Sequence, residues 1–262
     1  MTRRFLDLSI TLDPEVVTDP PFMRPSITRQ THHETVPEAA MFFPGITASA
    51  MAGGEGFAAS ETLTLSTHNG THLDAPWHYH PTMNNGERAI TIDEVPLDWC
   101  FRPGVKLDFR HLADGHIVTA AEVKRELARI GHTLAPLDIV VVNTAAGAAQ
   151  GRPDFLGKGC GMGYDATMYL TRRGVRVTGT DAWSWDAPFS HTAARVAETG
   201  DYSLVWEGHK AGREIGYCHM EKLTNLDQLP ATGFTISCFP AKIKGGSAGW
   251  TRAVAIFEDV AA

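Results

Sequence analysis

The chain has 262 residues, 43% of them hydrophobic and 20% charged, a mixture that agrees with a globular protein built on one sizeable core. A net charge of -7 argues against a nucleic-acid partner, and no apolar stretch approaches the length needed to cross a membrane. The N-terminal Met1-Thr-Arg-Arg-Phe5 lacks the apolar core of a signal peptide, which points to a cytoplasmic protein, and the absence of a linker or low-complexity tract makes residues 1–262 read as a single domain.

A long segment from Asp13 to Ala59 comes first; its apolar Met41-Phe-Phe-Pro-Gly45 suits either a subunit interface or a cover over a binding site. Glu61–Thr67 follows as a predicted strand and leads into His68-Asn-Gly-Thr-His72-Leu-Asp74-Ala-Pro-Trp-His78, where three imidazoles and a carboxylate fall within eleven residues. Further predicted strands are Gly104–Phe109, Asp138–Asn143, Val175–Gly179, Phe234–Cys238 and Arg252–Phe257. Between them, Thr119 to Ile130 reads as a helix with a Thr119/Glu122 capping box and a stop at Gly131, and a second helix runs from about Asp165 to Arg173. The middle of the chain thus alternates strands and helices as an α/β protein with a mixed sheet does, while the strand-rich terminal thirds suit a second sheet or barrel.

Other segments are weaker signals. Gly179-Thr-Asp-Ala-Trp-Ser-Trp-Asp186 suits a pocket wall after a strand end, with ordinary loop packing as the competing reading. Lys244-Gly-Gly-Ser-Ala-Gly249 lacks the Lys-Ser/Thr ending of a phosphate-binding loop and precedes a strand, so it reads as a tight connection. The four cysteines are widely spaced and read as reduced and buried.

His68, His72, Asp74 and His78 share one parity and would face one side of an extended strand. A helix would turn Asp74 away from His68 and His72, and Gly70 and Pro76 oppose a helical interior. Six residues of straight strand span roughly 20 Å, too far for ligands of one ion, so the chain must curl; Gly70 permits this and Pro76 ends strand pairing. The run is therefore placed on a strand end entering a bent loop. Imidazole and carboxylate donors suit zinc or manganese. One His among the chain's 12 would ordinarily be a surface or structural residue, but this clustering predicts His68, His72 and Asp74 as metal ligands and His78 as a catalytic acid/base, with a mere orienting role for His78 as the alternative.

The run matches the His-x-Gly-Thr-His-x-Asp-x-Pro-x-His signature of the cyclase family of metal-dependent hydrolases, which includes kynurenine formamidases and isatin hydrolases. Phe5–Ser9 resembles the family's opening segment and Glu221–Pro230 its later Glu-containing segment, so the resemblance covers most of the chain. It implies the swivelling β/β/α fold, with Asp74 able to bridge two ions and His78 as the acid/base. It also implies a downstream His and Glu twelve positions apart, a spacing that His209 and Glu221 have; His219, two residues before Glu221, would share its side of a strand, so either His209 or His219 could reach the metal. The implied cofactor is one or two ions of Mn2+ or Zn2+, and the implied assembly a homodimer or homotetramer.

The expected chemistry is hydrolysis of an amide or lactam by metal-activated water, with His78 passing a proton to the leaving nitrogen and no nucleophilic serine required. Trp77 and Tyr79, interleaved with His78, are expected to pack around a small aromatic substrate, which fits an isatin-like cyclic amide and an N-formylated aromatic amine. The chain's length and N-terminal segment resemble isatin hydrolases more than kynurenine formamidases; a lactone is a further candidate. A non-catalytic binding protein would give His78 no purpose, and a structural zinc site would predict unfolding by chelator.

Overall fold

The computed structural model describes residues 2–258. Nine strands make one mixed sheet: β1 (Arg3–Asp7), β2 (His72–Asp74), β3 (Phe101–Asp108), β4 (Ile139–Asn143), β5 (Val177–Thr180), β6 (Cys218–Glu221), β7 (Phe234–Ser237), β8 (Ala248–Trp250) and β9 (Val254–Glu258). Their spatial order is β1-β9-β7-β3-β4-β5-β6-β2-β8. The helices are α1 (Val36–Phe42), α2 (Pro76–Tyr79), α3 (Ala120–Arg129), α4 (Tyr164–Thr171), α5 (Phe189–Thr199) and α6 (Glu207–Lys210).

Neighbours from β3 through β6 pair in parallel. β4, Ile139-Val-Val-Val-Asn143, is buried at every residue, which is why its sequence is a continuous apolar run rather than an alternation. Antiparallel strands finish both sides: β7, β9 and β1 beyond β3, and β2 and β8 beyond β6. The terminal thirds therefore do not build the separate sheet or barrel that their strand content suggested. Extending one sheet satisfies the open backbone edge groups of the parallel centre, which a second sheet would have left exposed.

The helix at 120–129 forms as its sequence predicts. Glu122 N–H donates to the Thr119 hydroxyl and Thr119 N–H donates back to the Glu122 carboxylate, while Val123 and Leu127, one turn apart, are buried. α3 and α4 cover the sheet face carrying Val105, Leu107, Val140 and Val142; the opposite face packs Leu8, Leu73, Ile139, Val141 and Met220. Residues 61–64 belong not to this sheet but to a separate two-stranded antiparallel sheet in which Ser60–Thr64 pairs with Ser26–Gln30. α5 has no counterpart among the predicted helices, and none of its residues is fully buried.

Gly70 bends the chain before β2: its φ is +61°, and a Cβ there would come within 2.6 Å of the Leu12 side chain. After Asp74 the chain does not continue as a loop but makes the one-turn α2, with Pro76 at its first position, where a missing N–H is harmless. His78 is thus a helical residue, contrary to the bent-loop expectation. No helix of the described residues is long and apolar enough to cross a membrane.

Candidate metal centre

β2 and β6 lie side by side and antiparallel, with Asp74 opposite His219 and His72 opposite Glu221. Directly opposed residues on one sheet face hold their Cβ atoms about 5 Å apart, so two short strands bring four donors together, and Leu73 and Met220 between them point into the apolar core. The turn before β2 adds His68, α2 adds His78, and α6 adds His209.

Five imidazoles converge on the two carboxylates. Asp74 Oδ1 is 2.9 Å from His68 Nδ1 and 3.2 Å from His72 Nε2, and Asp74 Oδ2 is 3.1 Å from His219 Nε2 and 3.8 Å from His78 Nε2. Glu221 Oε2 lies 3.6 Å from His72 Nε2, and its Oε1 lies 3.3 Å from His219 Nε2 and 4.0 Å from His209 Nε2. Both His209 and His219, between which the sequence could not choose, stand at the site.

The other ring nitrogen of four of these imidazoles is held from outside. His68 Nε2 meets Ser247 Oγ at 3.0 Å, His72 Nδ1 meets the Gly70 carbonyl oxygen at 2.9 Å, His219 Nδ1 meets the Tyr79 hydroxyl at 3.0 Å, and His209 Nδ1 bonds the Asp186 carboxylate. Such outer partners fix tautomer and ring orientation, leaving one nitrogen of each ring aimed inward. His78 alone has no such partner among the described residues.

These inward atoms fit a divalent cation. His72 Nε2, His219 Nε2 and both oxygens of Asp74 are buried without a hydrogen-bond partner, an expense that proteins accept where something else satisfies the atoms. The separations are those of atoms sharing an ion, and imidazole with carboxylate is the donor chemistry of zinc and manganese sites. The donors form two groups that share Asp74: Asp74, His209, His219 and Glu221 on one side, and His68, Asp74 and His78 on the other. Burial alone would raise the Asp74 carboxyl, yet the surrounding imidazoles hold it well below the usual range, and Glu221 is likewise pushed down to about 2. His219 moves the opposite way, to about 9, because Asp74 and Glu221 outweigh its burial. The carboxyls are lowered by the imidazoles and His219 is raised by the carboxylates, so the shifts report attraction between the two kinds of donor.

Beside the donors is a cavity of about 220 Å³, walled by Met23, Trp183, Phe189 and Trp206. The 179–186 segment supplies pocket wall: Trp183 and Ser184 line the cavity, Asp186 holds His209, and Trp185 N–H donates to Glu221 Oε1 at 2.9 Å. Trp77, expected at the substrate, is instead 43% exposed and absent from this lining, because it sits one residue from His78 on a helical turn and so points elsewhere. Tyr79 is buried behind His219, where it orients that ring rather than lining the cavity. No residue of Met41–Gly45 lines the cavity either; Met41, Phe42 and Phe43 are exposed.

Sequence reasoning missed Ser247, Trp206 and Lys222, and placed Asp186 in a pocket wall without its bond to His209. Ser247 stands between Gly245 and Gly249 in a Gly-x-Ser-x-Gly spacing, the local signal that marks it in the sequence. Trp206 has φ +61°, costly for a bulky residue, and its ring stacks on His209 with centroids 4.6 Å apart. Lys222, also at positive φ and only 1% exposed, donates to the Asp19 carboxylate and to the His68 carbonyl oxygen at 2.8 Å.

Residues 6–187 match the Cyclase family model. The kynurenine formamidase of Salinibacter ruber is 30% identical over 196 residues, covering 74% of this chain and 77% of that protein, and the kynurenine formamidase of Erythrobacter litoralis is 27% identical over 73% and 74%. Among solved structures, isatin hydrolase A from Ralstonia solanacearum superposes with a TM-score of 0.75 at 21% identity, covering 98% of this chain and 92% of its own. Isatin hydrolase A from Labrenzia aggregata, bound to benzyl benzoate, gives 0.72 at 24% identity over 97% and 94%. These two structures share the fold.

Proposed function

This chain belongs to the cyclase family, and from that premise and the geometry of its site we propose that it is a metal-dependent hydrolase that cleaves the C–N bond of a small aromatic amide, either a cyclic amide of the isatin type or an aryl formamide. The observation that carries this reading is the buried, unpartnered set of His72 Nε2, His219 Nε2 and both Asp74 oxygens, with both rings braced from behind.

Asp74, His209, His219 and Glu221 would hold one cation, and His68 and His72, both against Asp74 Oδ1, would join Asp74 in holding a second; zinc and manganese both suit these donors. Such a cation acts as a Lewis acid that activates water and polarises a carbonyl. The chain's own groups supply the rest. His78 is buried enough to be pushed down to about 4, so it is neutral at pH 7 and free to accept a proton as water adds to the amide carbon. Its ring borders the cavity, from which it can return that proton to the leaving nitrogen. Trp183, Phe189 and Trp206 provide flat apolar walls that orient an aromatic ring and exclude bulk water.

A serine-nucleophile reading draws on one specific chain of contacts: Ser247 Oγ to His68 Nε2 at 3.0 Å and His68 Nδ1 to Asp74 at 2.9 Å. It gives no role to His72, His209, His219 and Glu221, and the serine precedes a strand instead of the helix that a nucleophile elbow requires. Hydrolysis of isatin and N-formylkynurenine, measured before and after chelation and with manganese or zinc restored, separates the two. The metal reading expects activity to vanish and return with the ion; activity indifferent to chelator but lost in Ser247→Ala would replace it with the serine mechanism.

A further inference from the structure

Phe189 and Trp206 wall both the site cavity and a neighbouring groove of about 690 Å³ that lies between α5 and residues 202–206. The groove is lined by Ala193, Val196, Ala197, Tyr202 and Val205, and its single carboxylate, Asp186, is already engaged by His209 Nδ1 and the Gly208 N–H. None of the residues of α5 is fully buried, and on its groove side Phe189, Ala193 and Ala197 are exposed. The cavity is equally short of free charge. Its one ammonium, Lys222, is spent on Asp19 and the His68 carbonyl oxygen, and its remaining ionisable groups belong to the metal centre.

A substrate that carried an amino-acid head would have to bury a carboxylate and an ammonium where neither finds an unpaired partner, an expense that selects against it. An uncharged arm meets the opposite situation, since it covers apolar surface that continues from the reacting centre past Trp206, whose ring lies 5.3 Å from that of His78. We infer that the part of the substrate remote from the scissile bond is an uncharged, apolar arm lying in the groove between α5 and residues 202–206. The substrate class is then a neutral aryl amide or lactam with an alkyl or aryl extension. This rests on the amide-hydrolase reading given above.

The test uses the manganese- or zinc-loaded protein and compounds that share one reacting group. N-formylkynurenine is compared with 2-formamidoacetophenone, the same aryl formamide without the amino-acid head, and with homologues whose ketone arm is lengthened to six carbons. We expect kcat/KM to favour the neutral compound at least tenfold and KM to fall about two- to fourfold per added methylene. Ala197→Asp, at an exposed position on the groove, is expected to abolish the chain-length trend while the melting temperature is retained. A preference for N-formylkynurenine, or a KM indifferent to arm length, overturns the inference while leaving amide hydrolysis standing. A flat trend in a protein that sediments as a dimer with the groove protected from labelling assigns the groove to a second copy and likewise overturns it. Failure of every formamide and of isatin in the metal-loaded protein brings down the hydrolase reading instead.

Discussion

His78 differs from the other imidazoles of the site in the freedom of its ring. Four rings are braced by Ser247, Gly70, Asp186 and Tyr79, whereas His78 sits 3.8 Å from Asp74 with no such brace. A ligand gains from being fixed, and a proton carrier must exchange partners during turnover. His78→Ala should therefore leave the metal content of the purified protein unchanged by mass spectrometry while lowering kcat by about 10²- to 10⁴-fold. Ser247→Ala should do the reverse, weakening metal affinity by about 10- to 100-fold in a chelator competition with a smaller effect on the fully loaded enzyme. The donors of the 68–78 run were legible because spacing within one short segment carries the pattern. The distant braces of the site were not, since Ser247 lies 179 residues from His68 and Tyr79 lies 140 residues from His219, and no local periodicity records such meetings.

At the level of elements, the same limit separates what the chain announces from what it conceals. α3 was readable from its capping box and β4 from its unbroken apolar run, because the forces that make them are local or act on every residue. The assignment of β1, β7, β8 and β9 to the central sheet was not, because alternation fixes a strand but not its neighbours. The ion pair between Lys222, just past β6, and Asp19 of the N-terminal segment is of this concealed kind: 203 residues apart, both buried, it ties β6 to the turn carrying His68. Asn69 Nδ2 and Trp183 Nε1 donate to the same carboxylate, so one acid gathers three segments around the cavity. Asp19→Ala would strand a buried ammonium and should cost about 3–5 kcal/mol in urea unfolding, whereas Asp19→Leu combined with Lys222→Met should recover much of that loss. Additive losses in the double variant would mean that the pair is not coupled.

Across the whole molecule, stability should depend on pH and on metal in ways that separate cleanly. Asp181 joins the ends of β4 and β5 by accepting from Asn143 Nδ2, Thr144 N–H and the Thr144 hydroxyl, but burial outweighs these donors and lifts it to about 7. Its folded form therefore holds a proton that the unfolded chain has released above its ordinary value of 3.8, so this contribution favours folding most at low pH and is lost as pH rises through 7. Chemical denaturation between pH 5 and 8 should show that downward slope, and Asp181→Asn, whatever its absolute stability, should lose it. The metal acts on a different part of the structure. Its proposed donors come from β2, β6, α6 and the turn at His68, whereas the apolar clusters on the two sheet faces are built from other side chains. Chelation should accordingly lower the melting temperature, by the equivalent of about 4 kcal/mol for an ion present at a thousand times its Kd, while the far-ultraviolet circular dichroism of the sheet persists. Activity should disappear before the fold does and return when manganese or zinc is restored. Loss of the sheet signal at the same chelator concentration as loss of activity would instead make the centre a structural site, because only then would the folded chain require the ion.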